Sequence, residues 1–437
     1  MSQRIIFTLW VSFFVLAGMM ACSDVPETNL PIEETDPAPD EEEEQQLILT
    51  ASETTVSVSS AILFEVTADE EPVTGADIYV GGSKIGGYQH TFDEAGTHTV
   101  IARKAGYIGS DPLEITVNEK AAEVDIYILG QAASESRNHY QPLYWKNGEW
   151  HPFRHEAIGG MIFHALTMAD GQLHVTGERI YSSSRATAFH WSGDVTDELS
   201  DSNGFASGKD IAVAGGDVYI GGVKNESSSV TTIGYWKNGD WHALAGGSVG
   251  NTDGGPITVK GDDIYFAGVV DGAPTYWKND TAFPLQGGAA AVTSMAVAAN
   301  GDIYVAGYSY DFPNAALYWK NGERIVLGEG GGKSHATDLF IDGDDLYVAG
   351  WEEMPLSTGG RTKPIARYWK NGVAVDLTDG TAHAGANAIH VVDGEPYVVG
   401  VEMINPNTAT LWKQGETIRL SHEEYNGSAG DLYVVKK

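Results

Sequence analysis

This chain of 437 residues has 13 histidines, 60 acidic residues and one cysteine, and these set the chemistry open to it. His164, His335 and His383 stand far apart in sequence, and three imidazoles from separate segments suffice to hold a divalent metal if the fold gathers them. Their spacing is not a motif, and ordinary packing is the competing role. Gly261-Asp262-Asp263 and Gly343-Asp344-Asp345 look like fragments of a calcium loop but lack its remaining oxygen ligands, which leaves them as turns. Gly328-Glu329-Gly330-Gly331-Gly332-Lys333-Ser334 misses the first-glycine spacing of a phosphate loop. No Ser-His-Asp order or nucleophile elbow is present. No catalytic residue and no cofactor is implied.

Composition narrows the partners. A formal charge of -34 excludes nucleic acid, whose binding needs a basic surface to release counterions. An acidic surface keeps a protein soluble, and a monomer is expected. With Cys22 alone, neither an intramolecular disulfide nor a cysteine-based zinc site can form. Arg4 precedes an apolar run over residues 5–17, too short to span a bilayer and followed by small residues, as in an export signal. Residues 23–46 carry Pro26, Pro31, Pro37 and Pro39 and the acidic run Asp40 to Glu44. That composition predicts an extended, self-repelling tether.

The elements come next. Gly301-Asp302-Ile303-Tyr304-Val305-Ala306-Gly307 is followed, after a gap, by Ala316-Leu317-Tyr318-Trp319-Lys320-Asn321-Gly322. The second half returns around Trp145, Trp236 and Trp369, and in weaker copies around Trp191, Trp277 and Trp412. Steps of 41 to 50 residues with several short strands per unit predict a β-propeller array. Each unit reads as four strands, A to D, with B apolar throughout and a tight Asn-Gly hairpin between C and D. Seven B and seven C segments are present, but the first unit lacks an A strand. Residues 429–435 align with an A strand, so the C-terminus is expected to complete the first unit and close a seven-bladed ring.

A–B and C–D turns are tight throughout, whereas B–C and D–A loops are long or Gly-rich and emerge on one face. Variable loops on a rigid scaffold are where binding usually lies. The candidate ligand residues there are Tyr140, Tyr181, Tyr308, Tyr310 and Trp351, with Arg137, Arg185 and Arg361. Aromatic and basic side chains together suit a carbohydrate or an anionic group, and ordinary loop composition is the competing explanation.

Three resemblances add to this. Met19-Met20-Ala21-Cys22 and the Ser23 and acids that follow resemble the signal of Bacteroidetes-type lipoproteins. That implies lipid on Cys22 and anchoring in the bacterial outer membrane, with surface exposure open. Ala95-Gly96-Thr97-His98-Thr99-Val100-Ile101-Ala102 and Leu113-Glu114-Ile115-Thr116-Val117 resemble the closing half of bacterial immunoglobulin-like spacers. The Trp, Asn-Gly and Gly-Gly cadence is similar to HAF-type extracellular repeats, and resembles seven-bladed propellers in architecture more than in function.

The expected organisation is therefore a signal peptide over 1–21, a tether over 22–46, an immunoglobulin-like β-sandwich over 47–120 and a seven-bladed β-propeller over 121–437, an all-β chain. The expected role is a membrane-anchored, non-enzymatic module presenting its loop face to a carbohydrate or protein ligand. The alternatives are a metal-assisted polysaccharide lyase or hydrolase, and an envelope-assembly lipoprotein.

Overall fold

A computed structural model describes residues 44–118, 122–134, 140–153, 160–182, 184–193, 195–200, 204–311, 313–328, 332–355, 362–404, 407–420 and 425–437. The chain divides into two compact units, with the boundary between Lys120 and Ala121.

In the first unit, Ile48–Ala51, Ala61–Ala68, Glu71–Pro72 and Gln89–Thr91 form one sheet. The second runs Thr55–Ser57, Leu113–Asn118, Gly96–Arg103, Asp77–Val80, Ser83–Lys84, with its first two strands parallel. Strict alternation along Ala61–Ala68 turns Ile62, Phe64 and Val66 inward, against Ile78, Phe92, Val100 and Ile115. The immunoglobulin-like resemblance is not upheld. Two of the strands are two-residue stubs and one edge pairs in parallel. The pattern that carried the resemblance is shared by any half-buried strand.

Among its described residues the second unit forms seven four-stranded sheets. In six of them the A, B, C and D strands follow in chain order, for example Ser334–Asp342, Asp345–Pro355, Thr362–Lys370 and Val373–Asp376. In the first sheet, the C-terminal strand Tyr425–Lys436 takes the A position beside Val124–Ser134. The A strands of sheets two to seven are Met161–Ala169, Ala206–Ala214, Asp253–Lys260, Ala290–Val297, Ser334–Asp342 and His383–Val392. Each lies beside the A strands of its neighbours, and the C-terminal strand lies beside those of the second and seventh sheets.

The expected fold class, a closed seven-bladed propeller, is corrected accordingly. Among the described residues the chain forms nine separate sheets of four or five strands, and none closes into a barrel or curls strongly. A period in the forties reports one four-stranded sheet per repeat. It carries no information on how the sheets close, and among the described residues no hydrogen-bonded ladder joins one sheet of the second unit to the next.

The repeated residues have a structural task. Asn147, Asn238, Asn279, Asn321 and Asn371 begin the C–D turns with φ of 48° to 53°, a region Asn tolerates well. Their Oδ1 atoms accept the backbone N–H of Ile126, Val218, Ile264, Ile303 and Leu346 on strand B, at 2.8–2.9 Å. Their Nδ2 atoms donate to Asp125, Asp217, Asp263, Asp302 and Asp345 at 2.6–3.0 Å. In four copies the preceding lysine pairs with the same aspartate at 2.7–2.9 Å and lies over a strand-B tyrosine. The Asp-x-Tyr of strand B and the Trp-Lys-Asn of strand C are thus one device that fixes the B–C register. The tryptophan itself packs against the preceding sheet, as Trp319 does on Tyr265, Ala267 and Leu285.

Candidate functional site

Every A strand of the second unit is bulged at the same level. The unpaired residues are His164, Lys209, Gly255 with Pro256, Thr293, Thr337, Asn387 and, on the C-terminal strand, Gly430. A bulge inserts one residue, bends its strand and re-aims a side chain. Strand B accommodates it with glycine. A Cβ on Gly307, Gly350 or Gly400 would overlap the carbonyl oxygen of Ala291, His335 or Gly385 on the facing A strand.

The bulged residues meet around one polar cavity of about 300 Å³, to whose walls all seven sheets contribute. His164, Lys209, Thr293, Thr337, Asn387 and Gly430 line it, with Asp210, Ser294, Asp338 and Asp431 immediately after the bulges. Three of these neighbours stitch sheets together. Asp210 accepts the N–H of Ile257 at 2.8 Å, Asp338 that of Ile389 at 2.9 Å, and Asp431 that of Leu166 at 2.7 Å. Each also accepts the N–H of its own following residue.

Electrostatically the three carboxyls form one system. Burial pushes Asp210 up to about 7 against the N–H bonds of Ile257 and Ile211, and the charge of Asp338 adds to the rise. Burial likewise raises Asp338, opposed by the N–H of Ile389, the Ser294 hydroxyl and the N–H of Leu339. Asp431 lies well above the carboxylate range, through burial and then the charge of Asp338; the Leu166 N–H opposes this and Asp210 adds to it. Like charges around one chamber cannot all ionise together. Beside them, Glu178 has its Oε2 3.9 Å from Nε2 of His164. Burial raises this carboxyl, but His164, the Ser207 hydroxyl and the charge of Lys209 outweigh it and hold Glu178 below its ordinary value. The arrangement offers carboxyls held toward their protonated form, an imidazole and a lysine around one cavity, which is the equipment of proton transfer.

Of the candidates among the described residues, only His164 reaches this cavity. His335 stacks on Tyr308, with ring centroids 3.6 Å apart, and packs against Trp351 at 4.3 Å. Burial and Lys333 lower it, against Glu353. His383 is exposed at the start of its strand. Among the described residues no three His, Cys, Asp or Glu side chains gather as metal ligands, so the three histidines are not brought together.

Tyr310 makes an edge contact with Tyr308, which completes a ladder of four rings. Tyr181 donates to Glu198 at 2.7 Å under the guanidinium of Arg179. Arg185 is exposed, and Tyr140 begins a strand. Cys22, Arg137 and Arg361 lie outside the described residues.

The role expected of this face, that of a closed propeller presenting a binding surface, is corrected with the propeller itself. On the face, Tyr308, Tyr310, His335 and Trp351 form one ladder that leaves Tyr310 54% exposed. Among the described residues no helix is long and apolar enough to cross a membrane.

The sequence reading missed Lys209, Asp210, Asp338 and Asp431. A signal for them existed: aligned A strands read Lys-Asp-Ile at 209–211, Thr-Asp-Leu at 337–339 and Gly-Asp-Leu at 430–432.

No protein family and no curated protein matches this sequence. Solved structures resemble it at low identity. The β-propeller domain of the Trilobed protease from Pyrococcus furiosus is 10% identical, with a TM-score of 0.43 over 69% of this chain and 93% of that one. A puromycin-hydrolyzing peptidase of Mycobacterium tuberculosis is 12% identical, with a TM-score of 0.41 over 81% of this chain and 57% of its own length. The polysaccharide lyase Uly1 is 12% identical, with a TM-score of 0.40 over 72% of this chain and 89% of that one. At these scores the likenesses establish neither fold class nor activity.

Proposed function

We propose that the second unit is an enzyme, a hydrolase or lyase that breaks a glycosidic bond by proton transfer in the cavity between the bulged strands. The observation that carries this is the placing of Asp210, Asp338 and Asp431 around one cavity that His164 and Lys209 also line. Cleavage of a glycosidic bond needs a carboxylic acid still protonated near neutral pH and a second group able to take up a proton. Asp431, raised well above its ordinary range by burial, is the proton donor to the leaving oxygen. Asp210, titrating about 7, is the group that exchanges a proton with water or substrate. Lys209 supplies positive charge to the cavity, and His164, with Glu178 beside it, supplies an imidazole. The metal-assisted form of this reading is set aside, since the described histidines do not converge.

The test is direct. Protein is incubated with a panel of oligosaccharides, with and without a chelator, and products are read by mass spectrometry. Hydrolysis adds one water across the bond, whereas elimination leaves an unsaturated end. Cleavage that survives the chelator and is lost in Asp210→Asn and Asp431→Asn supports the proposal. A panel left intact, or cleavage indifferent to both substitutions, overturns it.

A further inference from the structure

The ladder of four rings runs along the strands that build the cavity. Tyr308 pairs with Ala291, the residue before Val292 of the cavity wall. His335 pairs with Trp351 and stands two positions before the bulged Thr337, about 7 Å along the strand. Tyr310 follows directly on the strand Ile303–Ser309. Burial raises its hydroxyl, and Tyr308 and then the charge of Asp253, itself on the cavity wall, add to the rise.

The ladder is closed at its centre and open at its end. Tyr308 and His335 lie face to face at 3.6 Å and 7°, and Trp351 packs on the same imidazole at 4.3 Å. Burial, then Lys333, hold His335 below its ordinary value against Glu353, so this central ring is uncharged at neutral pH. Tyr310 has a single edge contact, with Tyr308 at 5.9 Å and 78°, and stays 54% exposed. Two other aromatic side chains are exposed among the described residues: Tyr181 donates to Glu198, and Phe283 stacks on Tyr276.

A ring braced by its neighbours offers a large flat surface at little cost in conformational entropy. A sugar ring has one face made of C–H groups and an edge of hydroxyls, which suits an aromatic surface next to a polar cavity. We infer that the enzyme takes a chain of several sugars, one of which rests its C–H face on Tyr310 while another occupies the cavity. The bond broken belongs to the enzymatic reading, on which this rests; the stacking surface is the ladder's own.

Calorimetry on Asp431→Asn, which leaves a bound chain whole, tests this with cellohexaose, xylohexaose, chitohexaose and hexagalacturonate, each beside its disaccharide. For at least one pair the hexasaccharide is expected to bind roughly ten-fold or more tightly, a difference of about 1.4 kcal/mol. Tyr310→Ala beside Asp431→Asn should remove that difference. Tyr310→Phe should keep it, since stacking uses the ring and not the hydroxyl. Disaccharide affinity should be equal in all three, which a general loss of folding does not produce, and Phe283→Ala on a D strand should change neither affinity. Hexasaccharide and disaccharide bound alike, a length preference that survives Tyr310→Ala, or no binding by any probe overturns the inference. A length preference that Tyr310→Ala removes, with no cleavage of any probe by the unaltered protein, would overturn the enzymatic reading alone. Cleavage of a hexasaccharide with the same KM by the unaltered protein and by Tyr310→Ala would overturn this inference alone.

Discussion

Asp431 accepts the backbone N–H of Leu166 at 2.7 Å across a sequence separation of 265 residues. The bond ties the C-terminal strand, which completes the first sheet, to the A strand of the second. One aspartate thus ties the first sheet to the second and lines the cavity.

Removal of residues 432–437 is expected to destabilise the second unit by several kcal/mol, within the range for loss of packed core residues. Leu432 and Val434 are buried on that strand, and residues 124–128 of the first sheet would lose their partners on it. Urea denaturation measures the loss, and a truncated chain unfolding like the parent would count against the pairing.

Gly350→Ala is expected to cost about 3 kcal/mol, in the range of overpacked cores. Its Cβ would overlap the His335 carbonyl oxygen and press on the ring of Trp369, both held by packing. Gly372→Ala meets nothing nearby and bears only the strain of its φ of +83°, about 1 kcal/mol. The two melting curves, taken side by side, test whether the bulge opposite Gly350 is rigid.

Much of this was legible in the sequence. The Asn-Gly turns, the four strands per repeat and the C-terminal strand's place in the first sheet all follow from residue pattern. The site was less legible, because a bulge displaces the side-chain alternation by one residue and sends Lys209, Thr337 and Asn387 where period-two counting does not. The aromatic candidates lie elsewhere than the loops expected of them: Tyr308 and Trp351 stand on strands and stack through His335. The class names went furthest astray, since a repeat period and a strand alternation describe local structure and say nothing of closure or family.

Stability should fall as pH rises from weakly acid to neutral. An acid held more protonated in the folded chain contributes stability fully below its unfolded value, and that contribution is lost as pH rises through the folded value. For Asp210 the window runs from 3.8 to about 7, and Asp338 and Asp431 act in the same sense. The turn aspartates oppose this at lower pH. Asp302, held down to about 2 by Lys320, Asn321 and Asn300, keeps its contribution above the unfolded value and loses it as pH falls. A stability maximum in the mildly acid range is therefore expected, and Asp431→Asn should flatten the slope above it. A melting temperature that climbs steadily from mildly acid to neutral pH would contradict the raised carboxyls.

The most direct measurement is the rate at which purified protein cleaves an oligosaccharide substrate found in the panel, for the parent, Asp431→Asn and Glu323→Gln, with melting temperatures recorded alongside. Loss of a proton donor is expected to slow cleavage by roughly 100-fold or more, with Asp431→Asn still folded and Glu323→Gln as active as the parent. Cleavage by Asp431→Asn at the parent rate would show that the cavity between the bulged strands is not where the reaction occurs.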